Sequence, residues 1–218
     1  MHLEVLVEDV SGKRMLDHLV PKILGSSHTF KVISYKGIGR IPKSLSPGSD
    51  PNKRILLDQL PRLLAGYGRT FAGYGPTYRA AVIVVCDLDH KRRAAFEDEL
   101  KAVATQAHPC PEHAFCIAIE EGEAWYLGDL SAIKLAYPHA KEAVLTGYVN
   151  DSICGTWELL ANAIHPGGAE ALKAKGWQEV GAEKSKWAET ITPKMVLAEN
   201  LSPSFNKFVT TLEQISNS

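Results

Sequence analysis

No stretch of this chain stays apolar for the roughly 18–20 residues that a bilayer requires, and none of its four cysteines forms a CxxC pair. The first shortage argues against a membrane span. The second argues against a thiol-based redox motif, and Cys86, Cys110, Cys116 and Cys154 read as free thiols rather than a disulfide framework. The start has neither a basic segment nor a long apolar core, so no secretory signal is expected and the expected location is the cytoplasm. Charge of either sign is not in excess: 24 Lys and Arg stand against 25 Asp and Glu, a net −1, with a pI near 6.7. Nothing global draws such a chain to nucleic acid, so any polyanion binding must rest on local patches.

What is present is a hydrophobic fraction of 45% in 218 residues, enough to bury a sizeable core as one large domain or one domain with an appendage. Leu3-Glu-Val-Leu-Val-Glu8 and Ala80-Ala-Val-Ile-Val-Val-Cys86 are short apolar runs rich in β-branched residues. Such runs fit parallel strands covered on both faces. Phe30–Tyr35 alternates like a strand, and Ala114–Ile119 reads as a further buried one. Helical stripes lie between them: Met15, Leu16, Leu19, Val20 and Ile23 after a Ser11 cap; Leu56 to Leu64; and roughly residues 90–106 with Phe96, Leu100 and Val103. Pro21 predicts a kink or break in the first. The order is strand, helix, strand, helix, strand, helix, strand. That predicts an α/β fold of Rossmann-like type, a mostly parallel sheet flanked by helices. The expected organisation is an α/β core over 1–130 and a helical C-terminal extension over 131–218, packed on the core.

Carboxylates close the strands. Glu8 ends the first run, and Asp87-Leu-Asp89 ends the longer one. Ligands in open α/β sheets sit beyond the carboxyl ends of the strands. Three acids delivered there from two strands repel one another unless a divalent cation neutralises them. Glu120-Glu-Gly-Glu123-Ala-Trp125 emerges at the same edge if the sheet is parallel, adding Glu121 and Glu123 as candidate ligands. Two positions apart, these two cannot face the same way on a helix, so at most one is expected at the metal unless the segment is a loop. Acids at strand ends also serve as helix caps and as partners of helix dipoles, so the reading rests on the combination.

Basic residues offer phosphate contacts. Lys36-Gly-Ile-Gly-Arg40-Ile-Pro-Lys43 follows the second strand at the ligand edge, without the GK[ST] ending of a Walker A loop. Lys53, Arg54 and Arg62 could extend that surface, and Lys184 and Lys186 before Trp187 are further candidates; each could equally belong to a solvated helix face. The echo Gly66-Tyr-Gly-Arg-Thr-Phe71 and Gly73-Tyr-Gly-Pro-Thr-Tyr78 is expected to be a loop whose aromatics pack on their own domain, a base-stacking platform being the alternative. His108, Cys110, His113 and Cys116 have zinc-ligand chemistry, but Cys116 is expected in a core strand, out of reach of a loop metal.

A Glu closing the first strand and a DxD closing a later one resemble the Toprim domain of topoisomerases, primases and OLD-type (overcoming lysogenization defect) nucleases. More closely, the chain resembles a small bacterial Toprim-like family of unknown function often encoded beside an AAA-type ATPase. The likeness runs through Val7-Glu8-Asp9, Lys36-Gly37, Gly66-Tyr67-Gly68, Val85-Cys-Asp-Leu-Asp89, Ile119–Trp125, Lys186-Trp187-Ala188 and Asn200-Leu-Ser-Pro-Ser-Phe205. The resemblance implies Glu8 as metal ligand or general acid/base, Asp87 and Asp89 as holders of Mg²⁺ or Mn²⁺, and Glu123, with Glu121, as the further acid. It implies a nuclease on DNA or RNA, working with an AAA-type ATPase in defence against phage or mobile DNA. One departure stands out: many Toprim proteins carry Gly after the strand-one Glu, where this chain has Asp9. The competing readings are a catalytically inactive adaptor for a protein or nucleic acid, favoured by that departure, and a DxD nucleotide-sugar transferase, which leaves Glu8 unexplained. A haloacid-dehalogenase-type phosphatase is disfavoured because Lys91 stands where its motif needs Thr or Val.

Overall fold

The computed structural model describes residues 1–37 and 55–217. Four strands, β1 (His2–Val7), β2 (Thr29–Ser34), β3 (Ala80–Asp87) and β4 (Glu112–Ala118), form one sheet in the order β2-β1-β3-β4, with every pairing parallel. Helix α1 (Val10–Leu24) links β1 to β2, α2 (Leu56–Gly73) precedes β3, and α3 (Arg93–Gln106) links β3 to β4. The expected α/β sheet is therefore present, and it is parallel throughout. The reason is visible in the two central strands. Leu3, Val5 and Val7 of β1 and Ala81, Ile83 and Val85 of β3 belong to one core. The alternate residues Leu6, Val82, Val84 and Cys86 belong to the other. A strand buried on both faces has no polar side to show, hence the unbroken apolar runs.

The two faces are covered differently. Helices α2 and α3 close one, through Leu56, Leu60, Leu64, Phe96 and Leu100. The other is closed by α1 and by the helical C-terminal part: α4 (Glu123–Leu127), α5 (Leu130–Ala136), α6 (Glu142–Leu145), α7 (Thr156–Ile164), α8 (Gly168–Lys173), α9 (Trp177–Ile191) and α10 (Pro203–Asn217). Trp125, Trp187, Phe205 and Phe208 lie in the same hydrophobic cluster as Leu3 and Val5, so the C-terminal helices share the core of the sheet. No helix among the described residues is long and apolar enough to cross a membrane.

Three local expectations are corrected. The cap of α1 is Asp9, whose carboxylate accepts the Gly12 N–H at 2.6 Å; Ser11 is buried inside the first turn and its hydroxyl donates to Asp9. Pro21 does not end α1, which continues to Leu24. Asp17 and Pro21 both face solvent, so the carbonyl that loses its intrahelical partner can meet water. The echo is not one loop: Gly66–Phe71 lies within α2, and only Gly73–Tyr78 runs through its end and the following turn. Gly68 explains the difference. A Cβ there would collide with the backbone carbonyl of Pro109, so the missing side chain lets α2 press against the segment before β4. The aromatics do pack locally, Tyr67 on Phe71 with ring centroids 5.6 Å apart and Phe71 on Tyr78 at 6.2 Å. Cys116 is buried in β4, as its sequence context suggested, and Cys110 Sγ meets His113 Nδ1 at 3.5 Å.

Gly68→Ala is expected to lower unfolding free energy by about 1–3 kcal/mol, since overpacking against backbone outweighs the better helix propensity of Ala. Gly66→Ala, where a Cβ meets nothing within 4 Å, should instead gain up to about 1 kcal/mol. Urea unfolding midpoints of the two variants check the pair.

A carboxylate cluster around Lys184

At the carboxyl ends of β1 and β3, a cavity of about 20 Å³ opens between the start of α1, α4 and α9. That is room for roughly one water molecule or a bare ion. Glu8, Asp9, Asp87, Glu123 and Lys184 line its polar side; Val7, Met15, Val85 and Tyr126 line the apolar side. Each polar group arrives by a different route. Glu8 and Asp87 are delivered by the ends of two neighbouring parallel strands, in register through Val7 opposite Val85. Glu123 opens α4, where an acid suits the helix dipole. Lys184 comes from α9, on the stripe Val180, Lys184, Trp187, Ala188, Ile191 that otherwise faces the core.

Burial governs the electrostatics. Loss of water pushes the Asp87 carboxyl well above its ordinary value, and the charge of Glu8 and a hydrogen bond with it push the same way. Glu8 is also raised, first by burial and then by the charges of Asp9 and Asp89. The two carboxyl groups titrate as a coupled pair, and burial favours the protonated form of both. Glu123 is raised by burial against the pull of Lys184, and Glu121 is pushed up to about 7 by burial. Lys184 responds in the opposite sense. Burial alone would lower it, but Glu123, Glu121, Asp87 and Asp9 together hold it well above the usual lysine range, so it carries its charge at every ordinary pH. Its ammonium contacts Glu123 at 3.1 Å and Glu121 at 3.4 Å.

The candidate residues separate accordingly. Glu8, Asp87 and Glu123 meet at the cavity. Glu121 joins them through Lys184: it lies in the turn before α4, not on the helix, which is how two acids two positions apart reach one ammonium. Asp89 stands at the rim. Its backbone is left-handed (φ 50°), its N–H donates to the Glu120 carbonyl at 2.9 Å, and its carboxylate pairs with Lys91 at 3.1 Å. Lys186 is exposed and pairs with Glu183. Lys36 is exposed beside Glu8, since the Gly37 N–H donates to the Glu8 carbonyl at 2.8 Å. Arg40, Lys43, Lys53 and Arg54 lie outside the described residues, and Arg62 is exposed on α2.

Two neighbours of the cluster are structural. Asp9 is engaged as the cap of α1. Glu120 is buried and accepts the N–H groups of Gly155 at 2.8 Å, Thr156 at 2.9 Å and Cys154 at 3.2 Å, closing the start of α7. The Asn200–Phe205 segment fastens α4 from behind: Asn200 Nδ2 donates to the Trp125 carbonyl at 2.8 Å, and Trp125 Nε1 donates to Ser204 Oγ at 3.0 Å. Sequence reasoning ranked Lys184 only as a weak phosphate contact. The signal it passed over is the position of that lysine on the apolar stripe of α9, where a cation needs buried partners.

Among the described residues, no three His, Cys, Asp or Glu side chains stand in a ready-made coordination set. The donors at the cavity are nevertheless all hard oxygens, the chemistry that Mg²⁺ and Mn²⁺ select. Glu8, Asp87 and Glu123 are the residues that would hold such an ion in their deprotonated forms.

Residues 7–213 match the family described as a domain of unknown function (DUF4276). Neither the curated proteins nor the solved structures give a match.

Glu121 predicts a pH effect with a defined sign. Its folded pKa of about 7 lies above the ordinary 4.5, so between those values the folded protein holds a proton that the unfolded chain releases. Stability from this group is therefore present below about pH 4.5 and is lost as pH rises toward 7. Thermal unfolding across that window should decline less steeply with pH in Glu121→Gln than in the wild type.

Proposed function

We propose a chemistry for a chain that belongs to the DUF4276 family: Mg²⁺- or Mn²⁺-dependent hydrolysis of nucleic-acid phosphodiesters at a Toprim-like centre. The observation that carries this reading is the meeting of Glu8, Asp87 and Glu123 around one ion-sized cavity at the carboxyl ends of adjacent parallel strands. A divalent ion there supplies charge stabilisation on the phosphate and a water acidified toward hydroxide.

The residues of the chain do the rest. Glu8 and Asp87 stand at the ends of adjacent strands, two coupled carboxyl groups raised by burial, suited to acid/base work within one site. Glu8 is suited to move a proton to or from the oxygen being exchanged. Lys184 keeps a fixed positive charge beside Glu123 and Glu121, limiting repulsion within the cluster and attracting phosphate oxygens. The α4 helix, clamped through Trp125, Asn200 and Ser204, sets the position of Glu123. The Toprim-like resemblance supports an AAA-type ATPase as partner and a role in defence against phage or mobile DNA.

A second reading has one observation of its own. Lys184 already counters Glu121 and Glu123, as an inactive adaptor with a vestigial centre would require. The two readings part in one assay. Cleavage of supercoiled and single-stranded DNA and of RNA with Mn²⁺ or Mg²⁺ is expected for the wild type, and Asp87→Asn is expected to lose more than about 100-fold of it, given the several kcal/mol that a metal contributes. An adaptor would cut nothing, with or without the ATPase, and would keep its binding in Asp87→Asn.

A further inference from the structure

A run of four basic residues, His90-Lys-Arg-Arg93, follows Asp89 directly. It spans the loop between β3 and α3 and the first residue of α3, at the edge of the sheet that holds the carboxylate cluster. His90, Arg92 and Arg93 are exposed, and Lys91 is partly so. Lys91 is anchored, paired with Asp89 at 3.1 Å and lying 4.7 Å over the Phe96 ring. Arg93 is held by Glu97 at 3.0 Å. Arg92 makes no ion pair with a described residue, and neither does Lys36, which reaches the same edge from β2 on the other side of Glu8. Since β1 lies between β2 and β3, the two basic positions flank the strand end that delivers Glu8.

The ion pairs of Lys91 and Arg93 do not extend to Arg92 or Lys36 among the described residues, and the helix dipole opposes the run. Arg92 is the cap residue of α3 and Arg93 its first residue, with no side-chain cap and no acid in the first turn. Cations at a helix N-terminus oppose the helix dipole. An anion arriving from outside would reverse that cost. The chain as a whole is near neutral, so the cluster is a local feature and not a share of a general excess.

We infer that His90–Arg93 and Lys36 form a two-sided basic lip that grips the phosphate backbone of a nucleic-acid strand and lays it across the Glu8–Asp87 cavity. The inference deepens the nuclease reading and rests on it for the direction of the strand. Arg92 and Lys36, which make no ion pair with a described residue, stand on both sides of an acidic centre and match a polymer with repeated phosphates, which can be held at two points while the bond between them faces the centre. The contacts go to backbone, so binding is indifferent to sequence and sensitive to salt.

The test uses full-length protein, EDTA to exclude divalent ions, and fluorescence anisotropy with short labelled DNA and RNA single strands across about 50–200 mM salt. The wild type is expected to bind with a negative log–log salt slope. The Lys36→Ala/Arg92→Ala double variant should bind about 10-fold more weakly at low salt, with the slope reduced by about 0.7 for each cation lost. Lys101→Ala, which removes one charge farther along α3, should leave both unchanged. An unaltered slope in the double variant overturns the lip, as does equal retention of wild type and double variant on the strands. Binding to anionic phospholipid vesicles in place of the strands overturns the nucleic-acid assignment. Because no metal is present, failure here is distinct from failure of the nuclease reading: a protein that cuts in an Asp87-dependent manner yet shows no lip effect loses only the lip.

Discussion

The arrangement depends on one half-buried cation. Four carboxyl groups, Glu8, Asp87, Glu121 and Glu123, are drawn from water near one another, and among the described residues protonation and the Lys184 ammonium offset them. Desolvated charges of like sign are expensive, and a lone buried lysine would be equally so. Together they form a coupled set in which each group shifts the others. The result is a centre whose charge state can be changed by a proton, by a divalent ion or by a phosphate.

The fold supplies that set by geometry alone. Parallel strands point the same ends in the same direction, so every loop after β1, β2, β3 and β4 emerges at one edge. The ends of β1 and β3 bring Glu8 and Asp87, the segment from β4 into α4 brings Glu121 and Glu123, and the segment after β2 brings Lys36. The C-terminal helices close the arrangement. They share the core of the sheet through Trp125, Trp187, Phe205 and Phe208, and this packing carries Lys184 into a space the sheet edge leaves open. Asn200 and Ser204 then tie α4 to the start of α10, so the acid on α4 is held by the last helix of the chain.

Much of this was legible in the amino-acid order. The unbroken runs ending at Glu8 and Asp87 mark strands buried on both faces, and that pattern implies parallel pairing and a shared edge. Phe96, Leu100 and Val103 marked α3, and Ala114–Ile119 marked the strand that buries Cys116. Local errors came where a neighbour far along the chain decides. Pro21 sits where the carbonyl it orphans, that of Asp17, lies on the exposed side of α1, and exposure is a tertiary property. The Gly66–Phe71 segment read as a loop because glycine is a poor helix former, but Gly68 is the contact that lets α2 approach Pro109.

The period of burial, the acids at the strand ends and the basic run after Asp89 follow from residues adjacent in the chain and are present in the amino-acid order. Which acids meet follows from folding. It placed Asp89 on the rim with Lys91, engaged Asp9 and Glu120 as helix caps, and brought Glu121 to the same ammonium as Glu123. The physical reason is that capping, ion pairing and desolvation depend on distances of a few ångströms between elements. Lys184 lies some hundred positions from Asp87 in the chain, and no spacing rule reaches that far.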